Sequence, residues 1–345
     1  MAYGDHSWNT WDVLTLDNWL DLYTSQTQLR SIDISALDKP LLPAIKKDPR
    51  VLQRLEHVNA LYIWPNNEDT LEAAQLALQY KPNIDLLLIN CTTLRNQPEV
   101  AGPMEDSSTA PGFISRTLFK HLSPFEKCTP MTLRELHITG YDMHHASTTI
   151  LRVIDFTSLE SLIMDESAGA ASVFAEMGKS YARPTKLKRV CWIEKHADRH
   201  SVKTFESFLQ SFKGLRFIHV DLASNAELLK PLAIKNHGDT LLSLFIRYES
   251  HGQNGPRYDS AQLVDITERC QQLRQLSLPF QDLHAHEGWP FENDDIQGQV
   301  VSTSGLSDFA ISLLILLNRL QSGNFRNSTL FASKIGPPQT SPATI

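Results

Sequence analysis

No CxxC pair occurs in this chain, and its four cysteines, Cys91, Cys128, Cys191 and Cys270, stand far apart. That spacing argues against a disulfide framework or a paired-cysteine zinc site and predicts buried free thiols in a reducing compartment. An excess of basic charge is also missing. Thirty-two Lys and Arg against 39 Asp and Glu give a formal net charge of −7 and a pI near 6.0. A nucleic-acid partner, which needs a clustered basic face, is therefore not expected. Long apolar runs are absent too. FAISLLILL at 309–317 has nine residues, against the roughly 20 of a bilayer helix, so it reads as a buried terminal helix and no membrane partner is expected. The opening MAYGDHSWNTWDV has neither a basic nor an apolar leader region, so no signal peptide is expected. These absences point to a protein inside the cell, in the cytoplasm or nucleus.

Motifs of catalysis are missing as well. There is no GxxxxGK[ST], GxSxG or GxGxxG, hence no sequence support for a phosphate cradle or a nucleophile elbow. His196 and His200 stand four apart, yet the intervening ADR lacks the glutamate of HExxH and no third ligand is evident. His144-His145 and the His284/His286 pair are no better placed. No catalytic residue, cofactor or metal is expected, and the chain reads as a non-enzyme.

What the chain has is a phrase that returns: LRELHITG at 133, LESLIMDE at 159, LKRVCWIE at 187 and LRFIHVDL at 215. The template is apolar, two variable, apolar, one variable, apolar. It fits at Leu29/Ile32/Ile34, Val58/Leu61/Ile63, Ile84/Leu87/Ile89, Leu133/Leu136/Ile138 and Leu159/Leu162/Met164. It fits again at Leu187/Val190/Trp192, Leu215/Ile218/Val220, Leu241/Leu244/Ile246 and Leu273/Leu276/Leu278. Six of the eight steps between successive starts lie within 26–29 residues, too regular for unrelated strands. Two apolar residues two apart share one face of a strand, so each strand has an apolar side and a variable side. Leu136, Leu162, Ile218, Leu244 and Leu276 are predicted buried, on parallel neighbouring strands.

Between the strands the period becomes helical. Residues 201–214 set Phe205, Phe208, Leu209 and Phe212 on one stripe facing the core, with Ser201 as the expected N-cap. EDTLEAAQLALQY (68–80) predicts a helix stopping before Pro82, and Ser224 with Glu227 predicts a capping box before Leu228, Leu229 and Leu232. One strand and one helix cannot bury their own apolar faces, whereas stacked copies share a continuous core. The expected architecture is an α/β solenoid of about nine irregular repeats over 29–280. An N-terminal helical cap (1–28) precedes it, a flexible insertion at 96–112 interrupts it, and an irregular region with a short apolar helix and a disordered tail (281–345) follows.

These LxxLxL segments resemble leucine-rich repeats, and their irregularity resembles the repeat regions of F-box/LRR-type proteins, fungal ones in particular. The family's LPxE-like F-box opening does not occur in residues 1–28, and the asparagine that follows each strand in that family is mostly replaced. The resemblance implies a leucine-rich-repeat fold and a substrate receptor of a ubiquitin ligase. Its repeats would hold a protein to be ubiquitylated, and an F-box would contact a Skp-type adaptor.

Stacked repeats also line up their variable positions, about 4.8 Å apart. Trp64, His137, Asp165, Glu166, Glu194, His219, Asp221, Arg247 and Tyr248 are the predicted members of one protein-binding face, a mixture of aromatics and acids suited to an interface. Its acids favour a basic partner. The leading reading is a non-enzymatic protein-recognition module. A repeat scaffold without a ligase connection is the alternative, and an enzyme ranks last.

Overall fold

The computed structural model describes residues 16–279 apart from 35–40, 66–67, 82–83, 93–116, 123–128, 142, 144–146, 181–184, 224–225 and 250–255. The expectations for 96–112, for 281–345 with its 309–317 helix, and for Cys128 lie outside the described residues, and the 1–28 cap is described only from Leu16.

The described strands are Ser31–Asp33 (β1), Ala60–Ile63 (β2), Leu86–Asn90 (β3), Glu135–Thr139 (β4), Ser161–Asp165 (β5), Arg189–Glu194 (β6), Phe217–Ala223 (β7), Ser243–Glu249 (β8) and Gln275–Ser277 (β9). The described α-helices are Leu16–Ser25 (α1), Leu41–Lys47 (α2), Glu68–Tyr80 (α3), Ser147–Val153 (α4), Ala170–Ser180 (α5), Arg199–Gln210 (α6), Pro231–Lys235 (α7) and Ser260–Arg269 (α8). The strands form one sheet in sequence order, with every neighbouring pair parallel. Leu136 stands beside Leu162, Leu162 beside Val190, Val190 beside Ile218 and Ile218 beside Leu244. The register is the sequence template, position for position. β3 pairs directly with β4, so no strand of this sheet lies between them despite the long step in sequence. The architecture is a solenoid-like α/β fold.

Its handedness explains its sidedness. Strand–helix–strand crossovers are right-handed, so a sheet that always steps the same way carries its helices on one side. Burial along the strands agrees: β7 alternates half-buried and buried over all seven residues, and β3 does so over five. Leu136, Leu162, Ile218 and Leu244 are at most 1% exposed. Leu276 is only partly buried, because β9 has a described neighbour on one side alone.

The strand starts repeat as faithfully. The Arg30 carbonyl accepts from the N–H groups of both Asn59 and Ala60, and the same forked bond recurs from Asn59, Asp85, Arg134, Glu160, Lys188, Arg216 and Leu242. Along this row Arg134 and Lys188 both pair with Glu160, at 3.2 and 2.8 Å.

The helices pack as their stripes require. Phe205 and Phe208 of α6 are buried beside Phe174 of α5, with ring centroids 4.8 and 5.1 Å away, and Phe212 continues the cluster. The N-cap of α6 is Asp198, whose carboxylate accepts from the Ser201 N–H at 2.8 Å. This corrects Ser201: an aspartate three residues upstream is at least as good an acceptor, and the helix begins earlier. Helix α3 spans the expected 68–80. Of the capping box expected at Ser224 and Glu227, Ser224 lies outside the described residues, and 226–230 form no helix. There the Leu229 N–H goes to the Tyr248 hydroxyl and the Lys230 N–H to Glu206. Pro231, which lacks an N–H, then starts the short α7 and leaves Leu232 65% exposed.

Candidate protein interface on the open sheet face

All-parallel sheets are ordinarily covered on both faces. Here the two faces differ: along β3 and β7 the residues of one face are buried and those of the other only half-buried. On the latter face the outward side chains run in rows across the strands. One row holds Leu86, Glu135, Ser161, Arg189 and Phe217; the next holds Tyr62, Leu88, His137, Ile163, Cys191, His219 and Phe245. A third holds Asn90, Thr139, Asp165, Ile193, Asp221 and Arg247.

Of the predicted face residues, His137, Asp165, His219, Asp221 and Arg247 lie on this side, while Trp64 follows the end of β2 and is half-buried. His137 approaches the Thr139 hydroxyl through Nε2 at 3.0 Å, and His219 meets Phe245 edge-on at 4.4 Å. Burial lowers the pKa of both imidazoles below the ordinary histidine value, so both are neutral at pH 7. The Arg247 guanidinium pairs with Asp221 at 2.6 Å, and Arg189 lies 5.0 Å over the Phe217 ring. Asp165 differs: among the described residues its carboxylate makes no hydrogen bond or ion pair. Burial pushes its pKa up, and the neighbouring Glu166 adds to the rise.

Three predicted members are elsewhere. Glu194 is 5% exposed and accepts from Trp192 Nε1 at 2.9 Å on the core side. Tyr248 is 6% exposed, with its hydroxyl accepting from Leu229 N at 2.8 Å. The reason is strand length: β6 and β8 continue beyond the template, so the residue two past its last apolar position turns inward again. Glu166 stands just past the end of β5, its N–H still donating to the Ile193 carbonyl of β6 at 2.8 Å. It has φ +46°, in the turn after β5, and its carboxylate pairs with Lys195 at 2.5 Å.

The face contains a depression of about 230 Å³ lined by Tyr62, Leu86, Leu88, Glu135, Leu136, His137, Ser161 and Ile163. Leu86, Glu135 and Ser161 escaped the sequence reading, although counting back two residues from Leu88, His137 and Ile163 finds them. Gly140 closes β4 at φ +68°, where a Cβ would stand 2.9 Å from Thr92 Cγ2 and 3.0 Å from its backbone N; only glycine fits there.

The chemistry of the remaining groups is quiet. Cys91, Cys191 and Cys270 are buried free thiols. Burial raises them to about 12, 12 and 11, so they stay protonated and unreactive. His196 lies in the turn before α6 and His200 in its first turn, both exposed. Among the described residues no group of three or more His, Cys, Asp or Glu could hold a metal, and no helix is long and apolar enough to cross a membrane. No protein-family model and no curated protein matches this chain.

Proposed function

We propose that this chain is a non-enzymatic protein-recognition module of the leucine-rich-repeat type, binding its partner on the open face of the sheet. One observation carries the reading. A nine-stranded parallel sheet buries the side chains of one face and keeps Tyr62, Leu86, Leu88, Ile163, Ile193, Phe217 and Phe245 of the other only partly buried. Apolar surface left open and rimmed by polar groups marks interaction sites in folded proteins. The neutral histidines and protonated thiols offer no activated nucleophile, which favours recognition over catalysis.

Within this class we place the chain as the substrate-binding repeat region of an F-box/LRR-type ubiquitin-ligase receptor acting in the cytoplasm or nucleus. The sequence resemblance alone supports that finer step, and a general repeat scaffold is the alternative. The test is affinity capture with the wild-type chain and an Ile163→Arg variant, each also presented with a purified Skp-type adaptor. Partners held by the wild type and lost by the folded variant support the open face. Adaptor binding favours the receptor over the scaffold. Equal capture by both proteins removes the face from the proposal.

A further inference from the structure

The depression of about 230 Å³ is smaller than the roughly 300–1,000 Å³ of small-molecule pockets. It matches one anchoring side chain. Tyr62, Leu86, Leu88 and Ile163 make its surround apolar. Ser161, 7% exposed, carries a hydroxyl with no hydrogen-bond partner among the described residues, a cost that folded proteins usually avoid.

Two carboxylates border this part of the face, and the cations that act on them are paired elsewhere, Lys195 with Glu166 and Arg134 with Glu160. Glu135 at the rim is exposed, and Asp165 lies two residues along β5 from Ile163. Neither forms an ion pair among the described residues. The cations of the face are occupied, Arg189 over Phe217 and Arg247 on Asp221. His137, between the two carboxylates, is neutral at pH 7 and repels nothing. A half-buried carboxylate without a counter-ion gains most from a cation that arrives already shielded from water.

We propose that the open face recognises a protein segment carrying an apolar side chain next to a lysine or arginine, the apolar group seated in the depression and the cation paired with Asp165. Ile163 and Asp165 are separated by two residues of one strand, roughly 6.6 Å. An extended partner would meet that spacing with the pattern apolar–any–basic. Glu135 adds to the attraction without needing direct contact. This inference rests on the protein-recognition reading above and specifies its partner.

The experiment uses the full chain and three labelled 12-residue peptides in a Gly/Ser background, containing Leu-Ser-Arg, Leu-Ser-Glu or Leu-Ser-Ser, followed by fluorescence anisotropy. Leu-Ser-Arg is expected to bind at least about tenfold more tightly than Leu-Ser-Ser, and Leu-Ser-Glu most weakly. Asp165→Asn, isosteric and therefore expected to fold, erases the preference for arginine; Leu88→Ser weakens all three. Raising salt from 50 to 500 mM narrows the arginine preference. Equal binding of the three peptides, or an arginine preference that survives Asp165→Asn, overturns the cation pairing and leaves protein recognition on this face standing. Absence of binding by every peptide overturns the motif as a whole, while the Ile163→Arg capture experiment still decides the broader reading.

Discussion

Leu87 and Leu88 are adjacent in the chain and identical in type, yet they live on opposite sides of β3. Leu87 has no exposure and stacks between Leu61 and Leu136; Leu88 is half-buried at the edge of the depression. Leu162 and Ile163 repeat the contrast on β5. The inner face is a closed packing problem, solved by aliphatic and aromatic side chains in register. The outer face mixes half-buried apolar side chains with charged and polar ones, and its polar groups are only partly matched. Folding accounts for the first arrangement. The second costs solubility and solvation, and binding is what would offset that cost.

Ways to break this comparison follow in order of expected size. Trp192→Ala removes a side chain with no exposure that touches Phe174 and Phe205, at centroid distances of 5.7 and 4.8 Å. Urea unfolding should show a loss of about 3–5 kcal/mol. A loss under about 1 kcal/mol would mean that the inner face is not the core.

The next effect is a pH dependence. His237 is 1% exposed and its Nδ1 accepts from the Leu215 N–H; burial lowers its pKa to about 4. Between the ordinary histidine value and about 4 the unfolded chain binds the proton and the folded chain does not. Stability is therefore present above about pH 6.5 and falls as pH drops toward 4. The fall from this residue is about 3 kcal/mol. His137 and His219, also lowered by burial, act in the same direction. Asp165 acts oppositely: its raised pKa contributes stability at low pH that is lost as pH rises through the folded value. A His237→Gln variant with an unchanged acid limb of the stability curve would contradict the assignment to His237.

Tyr248→Phe should cost about 1–3 kcal/mol, because it strands the buried Leu229 N–H. No change in the unfolding midpoint would return Tyr248 to the surface where its spacing first put it. The smallest effect belongs to Lys195→Ala. Its pair with Glu166 is 56% and 37% exposed, so the loss should stay below about 1 kcal/mol.

The residues that were legible in the sequence, and those that were not, follow the same division. The strand register could be read in advance because leucines two apart demand a common buried side, and nine copies left one consistent alignment. The open-face position of His137, Asp165, His219, Asp221 and Arg247 followed from the alternation. Glu194 and Tyr248 were misplaced because strand length is not encoded in the template. Glu194 does not look like a core residue until the indole N–H of Trp192 is beside it. The pairing of Asp221 with Arg247, and the lack of any such partner for Asp165, depended on neighbours 26 or more residues away in sequence. The Ser161 hydroxyl was equally invisible, since its cost arises from burial alone.

The central claim, that the two faces of one sheet serve folding and binding separately, is tested most directly by two double variants one residue apart: Leu87→Ser with Leu162→Ser, and Leu88→Ser with Ile163→Ser. Each is measured by urea unfolding and by anisotropy with the Leu-Ser-Arg peptide. The inner pair should lose more than about 4 kcal/mol or fail to fold, since each position is fully buried. The outer pair should keep its stability to within about 1 kcal/mol and lose peptide binding by at least about tenfold. Destabilisation of the outer pair comparable to that of the inner pair, or a folded outer pair that binds the peptide like the wild type, would contradict the account.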